Sequence, residues 1–231
     1  MLPLIVIRPE PGCSATVAAA RALGLDAHAF PLFAVAARDW PPVPADGADL
    51  LLIGSANAIR CGGAGLEPLR HLPVHAVGET TAQAARQAGF TVDHTGSGGL
   101  QAVLDAVPSG ARVLRLAGEE RIALEVPPGV TMIERVVYAS LPCPMPDGFA
   151  SLLAGGGVVL LHSGEAARHF AAECDRLGLR RSAIALAALA PRIAAAAGSG
   201  WAALMTAAEA RDAALLALAA GLCQSSDEMK G

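Results

Sequence analysis

Aromatic side chains are scarce in this chain, 3% of its 231 residues, with one tyrosine, Tyr138. Its apolar content is nevertheless 53%, much of it alanine, which argues against disorder and suits tightly packed helices on sheets. A basic surplus is also missing. The formal net charge is −4, so no field exists for a general nucleic-acid binder. The five cysteines (Cys13, Cys61, Cys143, Cys174, Cys223) form no C-x-x-C pair. Scattered single thiols point to a reducing compartment and to packing, not to disulfides or zinc. No uncharged apolar run reaches membrane length. Leu2–Ile7 is stopped by Arg8 and Pro9, and residues 207–222 carry Glu209, Arg211 and Asp212. A soluble, cytoplasmic protein is expected. The absence of a G-x-G-x-x-G turn excludes a nucleotide-using Rossmann enzyme. The serines have neither a G-x-S-x-G elbow nor a His–Asp partnership, so no serine nucleophile is expected. His162 and His169 have no partners at metal-ligand spacing, so no metal is expected.

Short apolar runs alternate with longer alanine-rich segments, the pattern of an α/β protein with parallel sheets. Strands are predicted at 4–7, 27–30, 50–53, 74–77, 90–93, 112–116, 131–138, 158–161, 183–186 and 201–205. Two proline-bearing stretches, 31–47 and 140–148, interrupt this rhythm. Five predicted strands lie between them, two before and three after. A two-stranded unit cannot bury both its faces alone, so the C-terminal part is expected to complete the N-terminal one. The organisation predicted is a discontinuous lobe of residues 1–33 plus 144–231 and a second lobe of 34–143. The alternative is a single sheet of nine or ten strands.

The stretch "AVGETTAQAARQAGF" (76–90) runs from a strand end through Gly78 into a helix bearing Glu79, Thr80 and Thr81. Free N–H groups and hydroxyls at such a helix start suit an anion. The turn "LLIGSANAIR" (51–60) is echoed by "VLLHSGEAAR" (159–168), with Ser55 in register with Ser163. Both turns belong at the C-terminal edge of a sheet, where open α/β proteins bind ligands. Two such edges facing across a cleft would hold one large ligand.

Taken in order, "IRPEPG" (7–12), "LLIGSANAIR", "VGETTAQAARQAGF", "VLRLAGEER" (113–121), "VVY" (136–138) and "VLLHSGEAARHF" (159–170) resemble the uroporphyrinogen-III synthase family over nearly the whole chain. The resemblance implies two doubly wound, parallel-sheet, flavodoxin-like α/β lobes joined by a two-stranded connector, with the first lobe discontinuous. It implies a cyclising lyase of haem biosynthesis that closes the linear tetrapyrrole hydroxymethylbilane with inversion of ring D and loss of water. No cofactor is implied. In the mechanism usually proposed, loss of the hydroxyl gives an azafulvene cation. The far ring attacks it at its substituted carbon, and the resulting spiro intermediate fragments and recloses. The protein's main task is geometric. The expected partner is this small molecule, with no nucleic acid or membrane, in a monomer that makes at most a transient contact with the upstream deaminase.

The resemblance also assigns residues. Tyr138 matches the tyrosine favoured for assisting departure of the hydroxyl, a task a phenol can perform as a hydrogen-bond donor. The competing reading is a strand-end aromatic packing at a hinge. Ser55, Gly78, Thr80, Thr81, Gly118, Ser163 and Gly164 match turns that face the substrate, although each serine can equally be a plain N-cap. Arg8 and Arg121 are placed to meet carboxylates, against the alternative of surface ion pairs. Arg192 lies in "LAPRIA" (189–194), where the family often has a glycine and threonines, so it either supplies a charge in their place or is a solvated helix residue. A short helix is expected after Arg121, cut by "VPPG" (126–129). These departures keep open a second reading, a non-catalytic ligand-binding or regulatory module on the same fold.

Overall fold

The computed structural model of the protein describes residues 1–228. The chain opens with strand β1 (Leu4–Val6), helix α1 (Gly12–Ala22) and strands β2 (Ala27–Ala29) and β3 (Phe33–Ala37). There follow β4 (Leu50–Ile53), α2 (Ala56–Cys61), β5 (Val74–Val77), α3 (Glu79–Gln87), β6 (Val92–Gly96) and α4 (Leu100–Asp105). Next come β7 (Arg112–Gly118), β8 (Thr131–Pro142), α5 (Asp147–Leu153), β9 (Gly157–Leu161) and α6 (Gly164–Arg176). The last elements are β10 (Ile184–Ala188), α7 (Pro191–Ala197), β11 (Ala203–Thr206) and α8 (Asp212–Glu228). No helix among the described residues is long and apolar enough to cross a membrane.

The strands form two sheets, not one, and the chain divides into two compact units. Met1–Ala34 with Leu141–Gly231 make the first, Val35–Ser140 the second. The first unit holds a five-stranded sheet of order β11-β10-β9-β1-β2, parallel at every pairing. Its central strands bury both faces. Ile5, Val159 and Leu161 enter one core with Phe149 and Phe170, whereas Leu4, Val6, Val158 and Leu160 enter another with Leu215 and Ala219. That division is the two-residue side-chain period of a strand covered by helices on each side.

A six-stranded sheet has the order β3-β8-β7-β4-β5-β6, with parallel pairs from β8 to β6. Alternation recurs in β4: Leu51 and Ile53 pack with Leu114, Leu116 and Ala82, and Leu50 and Leu52 pack with Val103 and Leu104. Truncating a core leucine of this kind to alanine typically costs about 2–5 kcal/mol.

Two expectations need correction. The proline-bearing stretch 31–47 contains a strand, β3, in "FAVAA", at an edge of the six-stranded sheet. Alanine is a poor strand former and prolines flank the segment, so its propensity is weak; pairing with β8 supplies what local preference lacks. The expected helix after Arg121 does not form, and residues 121–127 carry no regular structure. Pro127 and Pro128 restrict the residues before them, and the few positions left are too short to nucleate a helix.

Candidate active site

In each sheet the strand order reverses once. In the six-stranded sheet the chain runs β4, β5, β6 to one side and then returns to place β7 on the other side of β4. The crevice at the carboxyl ends of β4 and β7 is therefore where an open α/β sheet binds ligands. A cavity of about 210 Å³ lies there, lined among others by Ser55, Leu100, Arg115, Gly118, Arg121 and Tyr138.

Each side chain is there for a local reason. Ser55 follows β4 in extended conformation and caps α2, its Oγ accepting from the Asn57 N–H at 3.2 Å. Tyr138 and Gly118 are paired at the end of the β7–β8 ladder, just past a register shift, and the Glu119 N–H donates to the Tyr138 carbonyl at 2.8 Å. A Cβ on Gly118 would stand 2.7 Å from the tyrosine ring, so glycine is what lets the ring lie across the strand end.

Arg115 escapes a reading of the sequence. It sits inside β7 and is only 3% exposed. Its Nη1 donates to the Ile122 carbonyl at 3.0 Å and forms an ion pair with Glu134 at 2.9 Å, while its Nε is buried with no partner. Burial pushes its pKa down against the pull of Glu134. Glu134 lies opposite in the β7–β8 register and bonds Arg121 through its other oxygen. One signal is available: a charge within an apolar strand run, "VLRL", must have a buried partner.

Not every candidate residue lines this cavity. Gly78, at φ +76°, opens α3 beside it, and Thr80 is exposed on the first turn. Thr81 turns into the core, 5% exposed, and its N–H is bonded to the Gly78 carbonyl. Glu79 is drawn onto Arg86 at 2.7 Å.

Arg8, Ser163, Gly164 and Arg192 belong to the other unit, at the carboxyl ends of β1, β9 and β10. The five-stranded sheet reverses between β1 and β9. There Arg8 Nη1 donates to Asp212 at 2.8 Å, and the Thr16 hydroxyl donates to the same oxygen at 3.0 Å. His162, its side chain 8% exposed, holds Nε2 3.5 Å from the other Asp212 oxygen. With His162 alongside, and Arg8 and Thr16 assisting, the Asp212 carboxyl falls to about 2 although burial opposes the shift. Ser163 is an N-cap, accepting from the Ala166 N–H at 3.1 Å, with Gly164 the first residue of α6. Arg192 is exposed on the first turn of α7, which Pro191 opens.

All five cysteines are free. Burial pushes Cys13 and Cys223 up to about 11 and Cys174 to about 12, so these three are inert packing groups.

No curated protein sequence matches the chain significantly. Among solved structures, uroporphyrinogen-III synthetase from Helicobacter pylori 26695 is similar at 16% identity and TM-score 0.66, over 96% of this chain and 100% of that one. A uroporphyrinogen III synthase from the extremely thermophilic bacterium Thermus thermophilus aligns over 100% of both chains at 20% identity, with TM-score 0.40. At these identities the first likeness speaks to fold: a mixed α/β protein with parallel sheets. The family model described as "Uroporphyrinogen-III synthase HemD" matches residues 14–217. That span runs from α1 into α8 and takes in the whole six-stranded sheet with its reversal, and with it the chain belongs to the uroporphyrinogen-III synthase family.

Proposed function

We propose that the crevice at β4 and β7 is where this chain performs the family's reaction. The activity is that of a cyclising lyase: hydroxymethylbilane is closed to the macrocycle with ring D inverted and water lost. The observation that carries the assignment is the meeting of Tyr138, Ser55 and two arginines, Arg115 and Arg121, in one cavity at a sheet reversal.

In this reading the Tyr138 hydroxyl hydrogen-bonds to the departing hydroxyl and passes it a proton, so that it leaves as water and the ring nitrogen takes up the cationic charge. The proton that the attacking ring sheds when the macrocycle closes restores the phenol. The cavity is smaller than the ~300–1,000 Å³ usual for a drug-sized ligand. It therefore takes one substituted ring with its carboxylates, not a whole tetrapyrrole. The remaining carboxylates fall to milder sites such as the N–H group at Thr80, the Gly78 N–H being already bonded to the Gly96 carbonyl. Within the other unit, the backbone N–H groups of the Ser163–Gly164 turn, Arg8 and Arg192 are the corresponding anion-binding candidates. Arg8 can serve only by releasing Asp212. We further propose that the two units are lobes joined by a two-stranded connector, the first discontinuous. A cytoplasmic monomer that receives its unstable substrate in a brief contact with the upstream deaminase completes this reading.

Fresh hydroxymethylbilane, supplied by coupling to the deaminase, tests the proposal by separation of the isomers formed. Type III product is expected, and its slower formation in Tyr138→Phe at unchanged stability locates the site. Type I product alone, the isomer that forms without a catalyst, would sink it.

A further inference from the structure

The cluster beneath Tyr138 is short of acceptors. Two guanidinium groups, Arg115 and Arg121, share one side-chain carboxylate, Glu134, and Arg115 Nε is buried without a partner. An unpaired buried donor is costly, and a carboxylate is the group best shaped to meet a guanidinium fork. The two arginines also differ in freedom. Arg115 is enclosed in β7, tied to the Ile122 carbonyl as well as to Glu134. Arg121 stands on the irregular segment after β7, one third exposed; its Nη1 donates to the Glu119 carbonyl at 2.7 Å, while its Nε, on Glu134, is the group to be exchanged at the same cavity. A second acidic residue at the cavity, Glu120, is exposed and so largely screened. Ile122, 65% exposed, adds an apolar wall on which a ring can rest.

We propose that Arg115, Glu134 and Arg121 form a carboxylate-exchange clamp. Glu134 holds Arg121 at the cavity in the empty protein, and a carboxylate side chain of the ligand displaces it there. Arg115 is a positioning residue: it keeps the released Glu134 neutralised, both of whose oxygens can then serve the Arg115 guanidinium. Without Arg115, Glu134 would have Arg121 as its only partner and would compete with the ligand for it. The inference rests on the proposed reaction site, but it concerns binding and makes its own prediction: Glu134 opposes the ligand although it lies within the binding cluster.

Fluorescence titration with uroporphyrin III, an octacarboxylate that does not turn over, tests the clamp alongside KM and kcat on hydroxymethylbilane. Glu134→Gln should tighten probe binding and lower KM by about three- to tenfold, since Arg121 loses its internal competitor. Arg115→Met should weaken both by about tenfold, with kcat changed less than about threefold, as expected when ground-state and transition-state binding are lost together. The double variant Arg115→Met/Glu134→Gln should bind as tightly as Glu134→Gln alone, about three- to tenfold tighter than the parent, because a neutral residue 134 no longer needs Arg115, whereas additive effects would bring it back close to the parent. If Arg115→Met does not fold, the Glu134→Gln titration decides alone. Unchanged or weaker binding in Glu134→Gln, or strictly additive effects in the double variant, would overturn the clamp. A protein that yields only type I product yet shows this binding pattern would refute the reaction site and leave the clamp standing. Type III product without the pattern would do the reverse.

Discussion

The two sheet reversals are alike in topology and opposite in state. Both put a serine N-cap and an arginine at the carboxyl ends of neighbouring central strands. Between β1 and β9 the arginine is spent: Asp212, from the first turn of α8, bonds Arg8 and Thr16 with His162 alongside. Between β4 and β7 no comparable aspartate enters among the described residues. Two arginines share Glu134, and a cavity remains with Tyr138 at its wall. The difference is one of charge balance and of which later segment of the chain packs back onto each reversal. A doubly wound sheet supplies a crevice at its reversal, and whether the crevice binds anything depends on whether the protein has already filled it.

The open crevice should be the more sensitive to chemistry. Tyr138→Phe removes one hydroxyl and keeps the ring, so kcat should fall by roughly ten- to a thousandfold with little change in KM or in melting temperature. Gly118→Val offers an independent break: its Cβ would land 2.7 Å from the tyrosine ring, so the ring must move and kcat should drop comparably. Equal kcat in both variants and the parent would remove Tyr138 from the reaction.

The filled crevice should be the more sensitive to acid. The folded state depresses Asp212 from 3.8 to about 2, and Glu173, held by Arg176 and the Met145 N–H, from 4.5 to about 2. The unfolded chain therefore takes up protons first as pH falls. The stability from these groups is complete above about pH 4.5 and is lost as pH falls toward 2. Asp212 is 44% exposed and partly screened, so its share is about 1–2 kcal/mol. Denaturant unfolding at pH 6, 4 and 3 should show the decline, and Asp212→Asn should flatten it. An unchanged slope would mean that Asp212 does not plug this crevice in solution.

Smallest is the contrast between the two caps. Ser55→Ala and Ser163→Ala should each cost about 1 kcal/mol of stability through loss of the cap. Ser55 also lines the cavity with its side chain, so its substitution should in addition raise KM by a few-fold, whereas the Ser163–Gly164 turn offers backbone N–H groups that alanine retains. Equal KM effects from both would erase the distinction between the crevices.

Several of these features are legible in the sequence. The apolar runs read as strands at 50–53, 74–77 and 112–116 are central strands of the six-stranded sheet, and burial needs only the right residues in the right period. Ser55 and Ser163 stand out because strand–serine–helix turns are written locally. β3 does not, because "FAVAA" has little strand preference of its own. The short helix expected after Arg121 does not form, because the prolines at 127 and 128, expected only to shorten it, forbid it. Arg8 is visible as an arginine at a strand end, but its partner Asp212 lies 204 residues away.

The ordering of short-range signals along the chain is enough to establish an α/β architecture, the serine-capped turns and, through a resemblance carried by many weak motifs, the family. Those properties depend on side-chain periodicity and capping, which act over a few residues. Pairing is another matter. Nothing local in "VLRL" says that Glu134 will stand beside Arg115, that Arg121 will share it, or that Asp212 will close one crevice while the other stays open. Coulomb and hydrogen-bond energies fall off within a few ångströms, so they act only once strand register and helix packing have brought distant segments into contact.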